Sequence, residues 1–461
     1  MIIQDTLSNT EQKLDISKKL RIYLCGVTVY DESHIGHART IIVFDVLRKY
    51  LEQKNVEIEF IQNFTDVDDK IINKASKENT SAEEISTRYI ENYFKDFDGL
   101  NVKRATNYPK ATEHIKDIIE FIGKLIQKGV AYESKNGVYF SVSKFPEYGK
   151  LSKKKIDELQ TGARIEVDDA KKDPLDFAVW KFSDIEPVWD SPWGKGRPGW
   201  HIECSAMSTK YLGDNFDIHG GGRDLIFPHH ENEIAQSESC TGEPFAKSWM
   251  HVGMVTIEGE KMSKSLGNIK SIKQVLENWG PNTIRLFCLS GHYSKPIDYS
   301  EELLKENLTK WRQAETCYFE LIHAEEQEGD DASDIIKQNN KNFDDALDDD
   351  LNTHLALLAF FQLVKETNRM AADGKLNKSN AENIMKEFQR MSQILGLHIP
   401  EITSTEKEEI DSLILKREEL RKEKQFQEAD KIRDKINEMN IELVDHKGRT
   451  IWIKKEKIKA E

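Results

Sequence analysis

Short apolar runs and a longer amphipathic segment alternate near the amino terminus. Leu20–Gly26 and Val56–Phe64 are apolar and are predicted to be buried strands, while Ala38–Gln53 has the pattern of a helix packed on a sheet. A strand, a helix and a strand within about forty-five residues predict a βαβ unit. Such units form parallel sheets that bind ligands at the carboxyl ends of their strands, which places residues 34–37 at a strand-to-helix junction.

The sheet pattern is interrupted and then resumes. Residues 112–199 have short segments separated by several prolines and glycines, and strand-like patterns return at Phe216–His219 and Met250–Ile257. We therefore predict an α/β fold, with a Rossmann-type parallel-sheet catalytic domain split by an insertion. Its halves are residues 1–111 and 200–299, and the inserted connective domain is residues 112–199.

Strand patterns cease at Ser300, and long helical patterns follow. These predict an α-helical bundle over residues 300–401, with helices at Glu301–His323, Ala346–Ala372 and Ala381–Leu395.

The last part of the chain has a mixed pattern. A polar linker at Ile402–Lys407 leads to a small C-terminal α+β domain, residues 408–461. In it, the charged segment Ile410–Met439 is predicted to be helical. Ile441–Val444 and Thr450–Ile453 flank Lys447-Gly448 and predict a β-hairpin.

Composition narrows the class of protein. The chain has 461 residues, 38% hydrophobic and 32% charged, which is typical of a globular protein and excludes collagen-like or disordered chains. No run of about 18 apolar residues is present, so no membrane association is expected. Five irregularly spaced cysteines do not form a disulfide framework and favour a reducing, cytoplasmic location.

Charge is distributed unevenly. The formal net charge is −15, which argues against indiscriminate binding to polyanions. From Leu413 to the end, however, the chain has fourteen Lys and Arg residues and eleven Asp and Glu residues. The carboxyl end is therefore a locally basic region that a nucleic-acid partner could bind.

Two short motifs have the residues needed to bind phosphates. His34-Ile35-Gly36-His37 combines a glycine with two histidines at a helix start, where the backbone already favours negative charge. Lys261-Met262-Ser263-Lys264-Ser265 supplies two cations and two hydroxyls, with Lys264 as the cation for a departing pyrophosphate. Taken separately, the first motif is better explained as a helix start with surface histidines, and the second has the usual pattern of a solvated basic turn. Together, on either side of one split sheet, they predict an ATP site that activates a carboxylate.

In carrying these two motifs in this order, the chain resembles the class I aminoacyl-tRNA synthetases. That resemblance implies that an amino acid attacks the α-phosphate of ATP, that pyrophosphate departs, and that the aminoacyl group passes to the terminal ribose of tRNA. It also implies catalytic roles for His34, His37, Lys261 and Lys264, and Mg²⁺ with the ATP. Positioning and charge stabilisation carry such a reaction.

Several side chains have the chemistry of metal ligands. His229 and Glu233 share one helix face if a helix starts after Pro228. With Cys25 and Cys204 they make a set suited to zinc. No CxxC pair exists, and a free cysteine is usually a small buried apolar residue. By chemistry alone, four other residues are equally eligible ligands: His201, His219, His230 and Glu231.

Three longer motifs narrow the resemblance. Residues 25–31 (CGVTVYD), 199–207 (GWHIECSAM) and 227–233 (FPHHENE) look like those of the cysteinyl-tRNA synthetases. This resemblance implies a zinc ion, about one per chain, on Cys25, Cys204, His229 and Glu233. Zinc that binds the substrate thiolate would distinguish cysteine from serine, because a borderline-soft metal prefers sulfur.

The resemblance implies further contacts to substrates. Thr65 and Trp200 are expected around the amino acid, although a polar turn and a core tryptophan are the simpler interpretations. His34, Gly36, His37 and Lys264 are expected to bind ATP, joined near the adenosine by His219, Gly221 and Asp224.

The bundle and the basic end occupy the place where the resembled family contacts tRNA. Arg449 and Trp452 are candidates to contact phosphate and to stack on an unpaired base. The implied partners are tRNA(Cys), L-cysteine and ATP, and a monomer is expected. Two rival hypotheses are a ligase that transfers cysteine to a small amine and a zinc-dependent RNA-binding module. The C-terminal region argues against the first, and the nucleotide motifs argue against the second.

Overall fold

The computed structural model describes residues 1–155, 170–262, 267–399, 402–446, 449–455 and 458–460. They form two compact units. Unit 1 comprises Met1–Ile272, His292–Asp298 and Asp348–Leu351, and unit 2 comprises Lys273–Gly291, Tyr299–Leu347 and Asn352–Glu461.

Unit 1 combines four small sheets with six helices of two turns or more among the described residues. Its strands are β1 (Ile2–Asp5), β2 (Thr10–Lys13), β3 (Leu20–Thr28), β4 (Ile58–Thr65), β5 (Ala131–Ser134), β6 (Gly137–Phe140), β7 (Phe177–Phe182), β8 (Gly196–Pro198), β9 (Phe216–Gly222), β10 (Ala246–Val252), β11 (Val255–Ile257), β12 (Glu260–Lys261) and β13 (Ile297–Asp298). Its helices are α1 (Ile35–Gln53), α2 (Asp69–Glu78), α3 (Ala82–Gly99), α4 (Ile115–Gln127), α5 (Trp200–Leu212) and α6 (Glu231–Thr241).

The central sheet of unit 1 is parallel and has the order β10-β9-β3-β4. The chain runs from β3 through α1 to β4, and later returns to add β9 on the other side of β3. The carboxyl ends of β3 and β9 therefore flank a topological switch point, where open α/β sheets bind ligands. The predicted α/β fold with a parallel sheet is confirmed.

The segment that interrupts the sheet has its own antiparallel sheet, in the order β5-β6-β7-β8. Apolar side chains from it, such as Phe140 and Trp180, join the same hydrophobic cluster as Ile202 and Phe216 of the parallel-sheet region. The insertion is thus packed onto the core and is not a loosely tethered module.

Unit 2 is helical and ends in a hairpin. Its helices are α7 (Ile272–Leu289, which starts at the last residue of unit 1 and is kinked at Gly280), α8 (Glu301–Ile322), α9 (Ser333–Asp348), α10 (Thr353–Ala372), α11 (Lys378–Leu395), α12 (Ser404–Lys422) and α13 (Phe426–Glu438). Its strands are β14 (Ile441–His446) and β15 (Arg449–Lys454), which pair antiparallel as expected of a hairpin. Residues 273–291, predicted to belong to the second half of the catalytic domain, group with this helical unit.

Several predicted element boundaries were wrong. The strand expected over Met250–Ile257 is divided between β10 and β11, which lie in different sheets. The helix expected over Ala346–Ala372 is broken, because Asp350 and Leu351 adopt positive φ angles of 50° and 47° between α9 and α10. The expected linker at Ile402–Lys407 contains the start of α12, where Thr403 and Glu406 form a capping box. The expected helix over Ile410–Met439 is two helices, α12 and α13, separated by Lys424 at φ 61°.

Candidate functional site

The first nucleotide motif forms the start of α1. His34 is the N-cap, and its Nδ1 accepts hydrogen bonds from the backbone N–H groups of Gly36 (3.2 Å) and His37 (3.4 Å). His37 Nδ1 accepts in return from the backbone N–H of His34 at 3.3 Å. The two rings stack with their centroids 3.7 Å apart. The two histidines therefore fix each other's orientation at the positive end of the helix.

This capping arrangement determines where each imidazole carries its proton. Because Nδ1 of both rings accepts a backbone hydrogen bond, the proton of the neutral ring lies on Nε2. Burial, and then the neighbouring His34, lower the pKa of His37 well below its usual value. His37 is thus a neutral N–H donor at physiological pH, suited to a phosphate oxygen.

The second nucleotide motif lies against the first. A methyl group added at Gly36 would meet the His34 ring at 3.0 Å and the end of the Met262 side chain at 3.3 Å. Beyond the motif, Lys270 O accepts from the N–H of Ile35 (3.0 Å), and Ile272 N–H donates to Ser33 O (2.9 Å). Met262 and residues 270–272 therefore both lie against the start of α1.

Two lysines of that segment were predicted to act on ATP. Lys261 is exposed, and its Nζ lies 3.6 Å from Asp224 Oδ2. Lys264 lies outside the described residues, together with its neighbours 263, 265 and 266. The predicted ATP role of Lys264 stays a prediction.

A bulge in β3 directs Cys25 towards the end of the sheet. The pairing of β3 with β4 shifts register between Leu24 and Val27, and the Gly26 N–H donates to Asn63 Oδ1 at 2.9 Å. A β-carbon at Gly26 would lie 1.6 Å from the Asn63 carbonyl oxygen. Only glycine permits this close approach, so the Cys25-Gly26 pair is required by the backbone as well as by the site.

The four predicted metal ligands meet beside this bulge. The ligand atoms of Cys25, Cys204, His229 and Glu233 all lie within 4.8 Å of one another, and all four residues are buried. The two sulfur atoms are 3.8 Å apart, and His229 Nε2 is 2.8 Å from Glu233 Oε1. The first turn of α6 carries Glu233, and the turn before it carries His229. The site is thus built from three separate parts of the chain.

The electrostatics of this cluster suit a metal ion. Burial raises the pKa of Glu233 and Cys25 well above their usual values, whereas the Cys25 thiol, as a hydrogen-bond donor, and the nearby His229 lower that of Cys204 to about 7. Glu233 Oε2 accepts no well-aligned hydrogen bond among the described residues, although His219 Nε2 lies 3.2 Å away. A buried carboxyl oxygen without a partner is costly, and a cation would satisfy it. The donor set of two sulfurs, one nitrogen and one oxygen fits zinc.

A second set of residues shares this site. Cys25, His219, His230 and Glu233 also place their ligand atoms within 4.8 Å of one another. His230 Nε2 is 3.3 Å from Cys25 Sγ, and its Nδ1 is 2.8 Å from His251 Nε2. Geometry alone therefore leaves His219 and His230 eligible, as the sequence did.

The residues predicted around the amino acid adjoin the cluster. The Thr65 hydroxyl is buried at the end of β4 and donates to Glu203 Oε2 at 2.9 Å. Trp200 begins α5, is 37% exposed, and stacks on His229 with ring centroids 4.2 Å apart. Trp200 is thus not a core tryptophan, since it contacts the predicted metal ligand His229, and Thr65 bonds the sequence neighbour of Cys204.

The predicted adenosine contacts have different surroundings. The prediction for the His219 side chain needs correction, because it is fully buried and its Nε2 lies 3.5 Å from Cys25 Sγ, within the metal cluster. Gly221 is buried in β9 and packs against His230, where an added β-carbon would lie 2.8 Å from the ring. Asp224 is half-exposed beside Lys261. Of the three, Asp224 alone is both near the nucleotide motifs and accessible.

The predicted RNA contact of Trp452 also needs correction. Its side chain is 2% exposed and packs on Phe319, and its Nε1–H donates to Asp411 Oδ1 at 3.0 Å. A base would find no open face on this ring. Arg449 lies at the start of β15, but its side chain is outside the described set, so its role stays a prediction.

Several residues of the site were missed at the level of sequence. Asn63 supports the Cys25 bulge, Met262 joins the two nucleotide motifs, and Glu203 bonds Thr65. His251 Nδ1 lies within hydrogen-bond distance of Thr6 Oγ1 (2.9 Å), and its Nε2 contacts His230. Glu203 lies in the motif at residues 199–207 and Asn63 in the predicted strand Val56–Phe64, but no spacing signal distinguishes either residue from its neighbours.

Comparisons with known proteins agree with this geometry. Residues 11–309 match the model of the tRNA synthetases class I (C) catalytic domain, and residues 342–399 match the DALR domain. The chain is 50% identical to the cysteine–tRNA ligase of Thermodesulfovibrio yellowstonii, covering 94% of this chain and 95% of the relative. It is 47% identical to that of Thermococcus kodakarensis, covering 98% of each.

Solved structures show the same fold at low identity. A methionyl-tRNA synthetase of Mycobacterium tuberculosis, in complex with methionyl-adenylate, superposes with a TM-score of 0.62 and 15% identity over 82% of this chain and 89% of that one. A putative arginyl-tRNA synthetase of Campylobacter jejuni gives 0.54 and 13% over 83% and 94%. The chain therefore belongs to the cysteine–tRNA ligase family of class I tRNA synthetases.

Proposed function

We propose that this protein charges tRNA(Cys) with L-cysteine. It activates cysteine with ATP to cysteinyl-adenylate and pyrophosphate, and then transfers the cysteinyl group to the terminal adenosine ribose of the tRNA. The observation that carries the proposal is the buried cluster of Cys25, Cys204, His229 and Glu233. It lies in the same unit as the paired nucleotide motifs, at the carboxyl end of β3.

Zinc is the metal proposed for this cluster, on the same four ligands. When bound, it supplies a bond to the substrate thiolate that serine cannot match, because a borderline-soft ion prefers sulfur to a hydroxyl. One small apolar difference gives only about ten- to two-hundredfold discrimination, so recognition through a metal is the stronger filter. Trp200 and Thr65 would enclose the rest of the amino acid.

The start of α1 would hold the triphosphate. The Nε2–H groups of His34 and His37, set by the capping box, donate to phosphate oxygens, and Gly36 leaves room for them. Lys261 and Lys264 would neutralise the charge of the departing pyrophosphate, with Mg²⁺ on the ATP. These groups act by position and charge, and no covalent enzyme intermediate is required.

Unit 2 would contact the tRNA. The match of residues 342–399 to the DALR domain and the basic carboxyl end, including Arg449, support this role. Among the described residues, none of the helices combines the length and apolar character needed to cross a bilayer. A monomeric state and a cytoplasmic location stay predictions.

Cysteine-dependent ATP–pyrophosphate exchange tests the proposal, followed by transfer of labelled cysteine to tRNA. Exchange that requires cysteine and charging of tRNA would support it. Exchange without charging would favour a ligase that transfers cysteine to a small amine. No exchange would favour an RNA-binding module and contradict the proposal.

A further inference from the structure

One carboxyl group beside the metal cluster has an oxygen that accepts no hydrogen bond among the described residues. Glu203 lies in the first turn of α5, next to Cys204, and is 1% exposed. Its Oε2 accepts from Thr65 Oγ1 at 2.9 Å, but its Oε1 has no hydrogen-bond partner among the described residues. Leaving a buried polar atom without a partner opposes folding, so a partner that arrives from outside the chain is expected.

Glu203 has no cationic partner in the part of the chain that the structure describes. Its carboxyl group forms no ion pair with any described lysine, arginine or histidine, and its one hydrogen bond comes from the Thr65 hydroxyl. Asp66, in contrast, already receives hydrogen bonds from the backbone N–H and hydroxyl of Thr112. The missing partner of Glu203 should therefore be a cationic hydrogen-bond donor.

The proposed substrate carries such a group. Free cysteine has a thiol, a carboxylate and an α-ammonium group, and the ammonium nitrogen is separated from the sulfur by two carbon atoms. A thiolate held at the Cys204 end of the cluster would thus bring the ammonium to the adjacent residue, while the carboxylate extends towards the ATP motifs. Trp200, one turn before Cys204 on the same helix, would cover this position.

We propose that Glu203 Oε1 receives the α-ammonium group of the amino acid substrate and that Thr65 orients the carboxylate for this contact. The inference rests on the proposed function, since it assumes cysteine as the substrate. With this contact, the site selects a substrate on two features: the metal selects for sulfur, and Glu203 selects for a free α-amino group. A thiol that lacks the amino group would bind to the metal without this contact.

Two small thiols separate the contact from a structural role. Cysteamine has the thiol and the ammonium group, and 3-mercaptopropionate has the thiol and the carboxylate. In the full-length Glu203→Gln variant, the KM for L-cysteine and the inhibition constant of cysteamine should each rise about ten- to a hundredfold in pyrophosphate exchange. The inhibition constant of 3-mercaptopropionate should be unchanged or lower.

Asp66→Asn is the matched control, since it makes the same acid-to-amide change at a neighbouring carboxylate that already has partners. All three constants should be unchanged in it. An equal rise for all three thiols in Glu203→Gln, or no rise in any, would overturn the Glu203 assignment.

Two further measurements keep the test decisive. If Glu203→Gln does not fold, Glu203→Asp replaces it: selective weakening of the two ammonium-bearing thiols supports the contact, and equal weakening overturns it. Wild-type protein that shows no cysteine-dependent exchange would overturn the proposed function itself. Failure of the function is thereby distinguished from failure of the Glu203 contact.

Discussion

Two buried clusters contain residues predicted to bind substrates. One is the metal cluster of unit 1, and the other is the Trp452 cluster of unit 2, in which Trp452 packs with apolar side chains such as Phe319 and Ile410. Around Trp452 the polar atom is satisfied, since the indole N–H donates to Asp411 and the ring packs on Phe319. Around Glu233, a buried carboxyl oxygen accepts no well-aligned hydrogen bond among the described residues, and His219 Nε2 lies 3.2 Å from it. A buried polar group that has a partner is accounted for within the fold, whereas one without a hydrogen bond beside several metal-ligating side chains marks a candidate ligand site.

The largest effect is expected on the stability of the Trp452 cluster. Trp452→Ala removes a fully packed indole and should lower the free energy of unfolding by about 3–5 kcal/mol, measured by denaturant titration of the full chain. Trp452→Phe retains most of the packing and should lose less. If Trp452→Ala unfolds like the wild type but charges tRNA poorly, the ring contacts RNA and the comparison fails.

Cys204→Ser is expected to act on binding instead of stability. Loss of a thiolate ligand should raise the KM for cysteine by more than about a hundredfold. Mutation of a residue that merely supports a metal ligand already lowers metal affinity or activity about ten- to a hundredfold. The KM for ATP should change little. Cys240→Ser, at a half-exposed cysteine outside the cluster, is the control and should behave as the wild type. An unchanged cysteine KM in Cys204→Ser would refute the metal assignment.

A smaller effect is expected at the start of α1. In Gly36→Ala, the new methyl group would lie 3.0 Å from the His34 ring, which must move and weaken the capping box. We expect kcat of pyrophosphate exchange to fall about tenfold, a loss of the order of one positioned hydrogen bond. The KM for cysteine should stay constant.

Gly123→Ala provides the control for that glycine. It lies within α4, where an added methyl group meets nothing within 4 Å, and alanine should stabilise the helix by about 0.5–1 kcal/mol. Equal loss of activity in both variants would show that Gly36 has no special role.

The smallest effect is expected for Arg449. Arg449→Ala should raise the KM for tRNA about threefold, as the loss of one exposed phosphate contact would, and should leave pyrophosphate exchange unchanged. A filter-binding titration at two salt concentrations would measure it. An unchanged tRNA affinity at low salt would remove Arg449 from the RNA surface.

Local patterns predicted most of the parallel sheet. The apolar runs at β3, β4 and β9 and the helix between the first two were recognised because the sheet buries both faces. The break at Asp350-Leu351 was missed, because apolar periodicity continues through it while two positive φ angles interrupt the backbone. The start of α12 was missed although Thr403 and Glu406 carry its signal.

The residues of the site could be predicted less well from their spacing in the sequence. Cys25 and Cys204 are 179 positions apart and meet only through the tertiary fold, so the ligand set came from the resemblance. Helix geometry explains the pair His229 and Glu233, which four positions separate. The burial of His219 and Trp452 could not be read from their motifs, since the packing partners come from distant segments.

The most direct measurement combines metal content with activity in one purified preparation. The account predicts about one zinc per chain, pyrophosphate exchange that requires cysteine and does not proceed with serine, loss of exchange on chelation, and recovery with added Zn²⁺. Metal-free protein that retains full cysteine-dependent exchange would contradict the central claim.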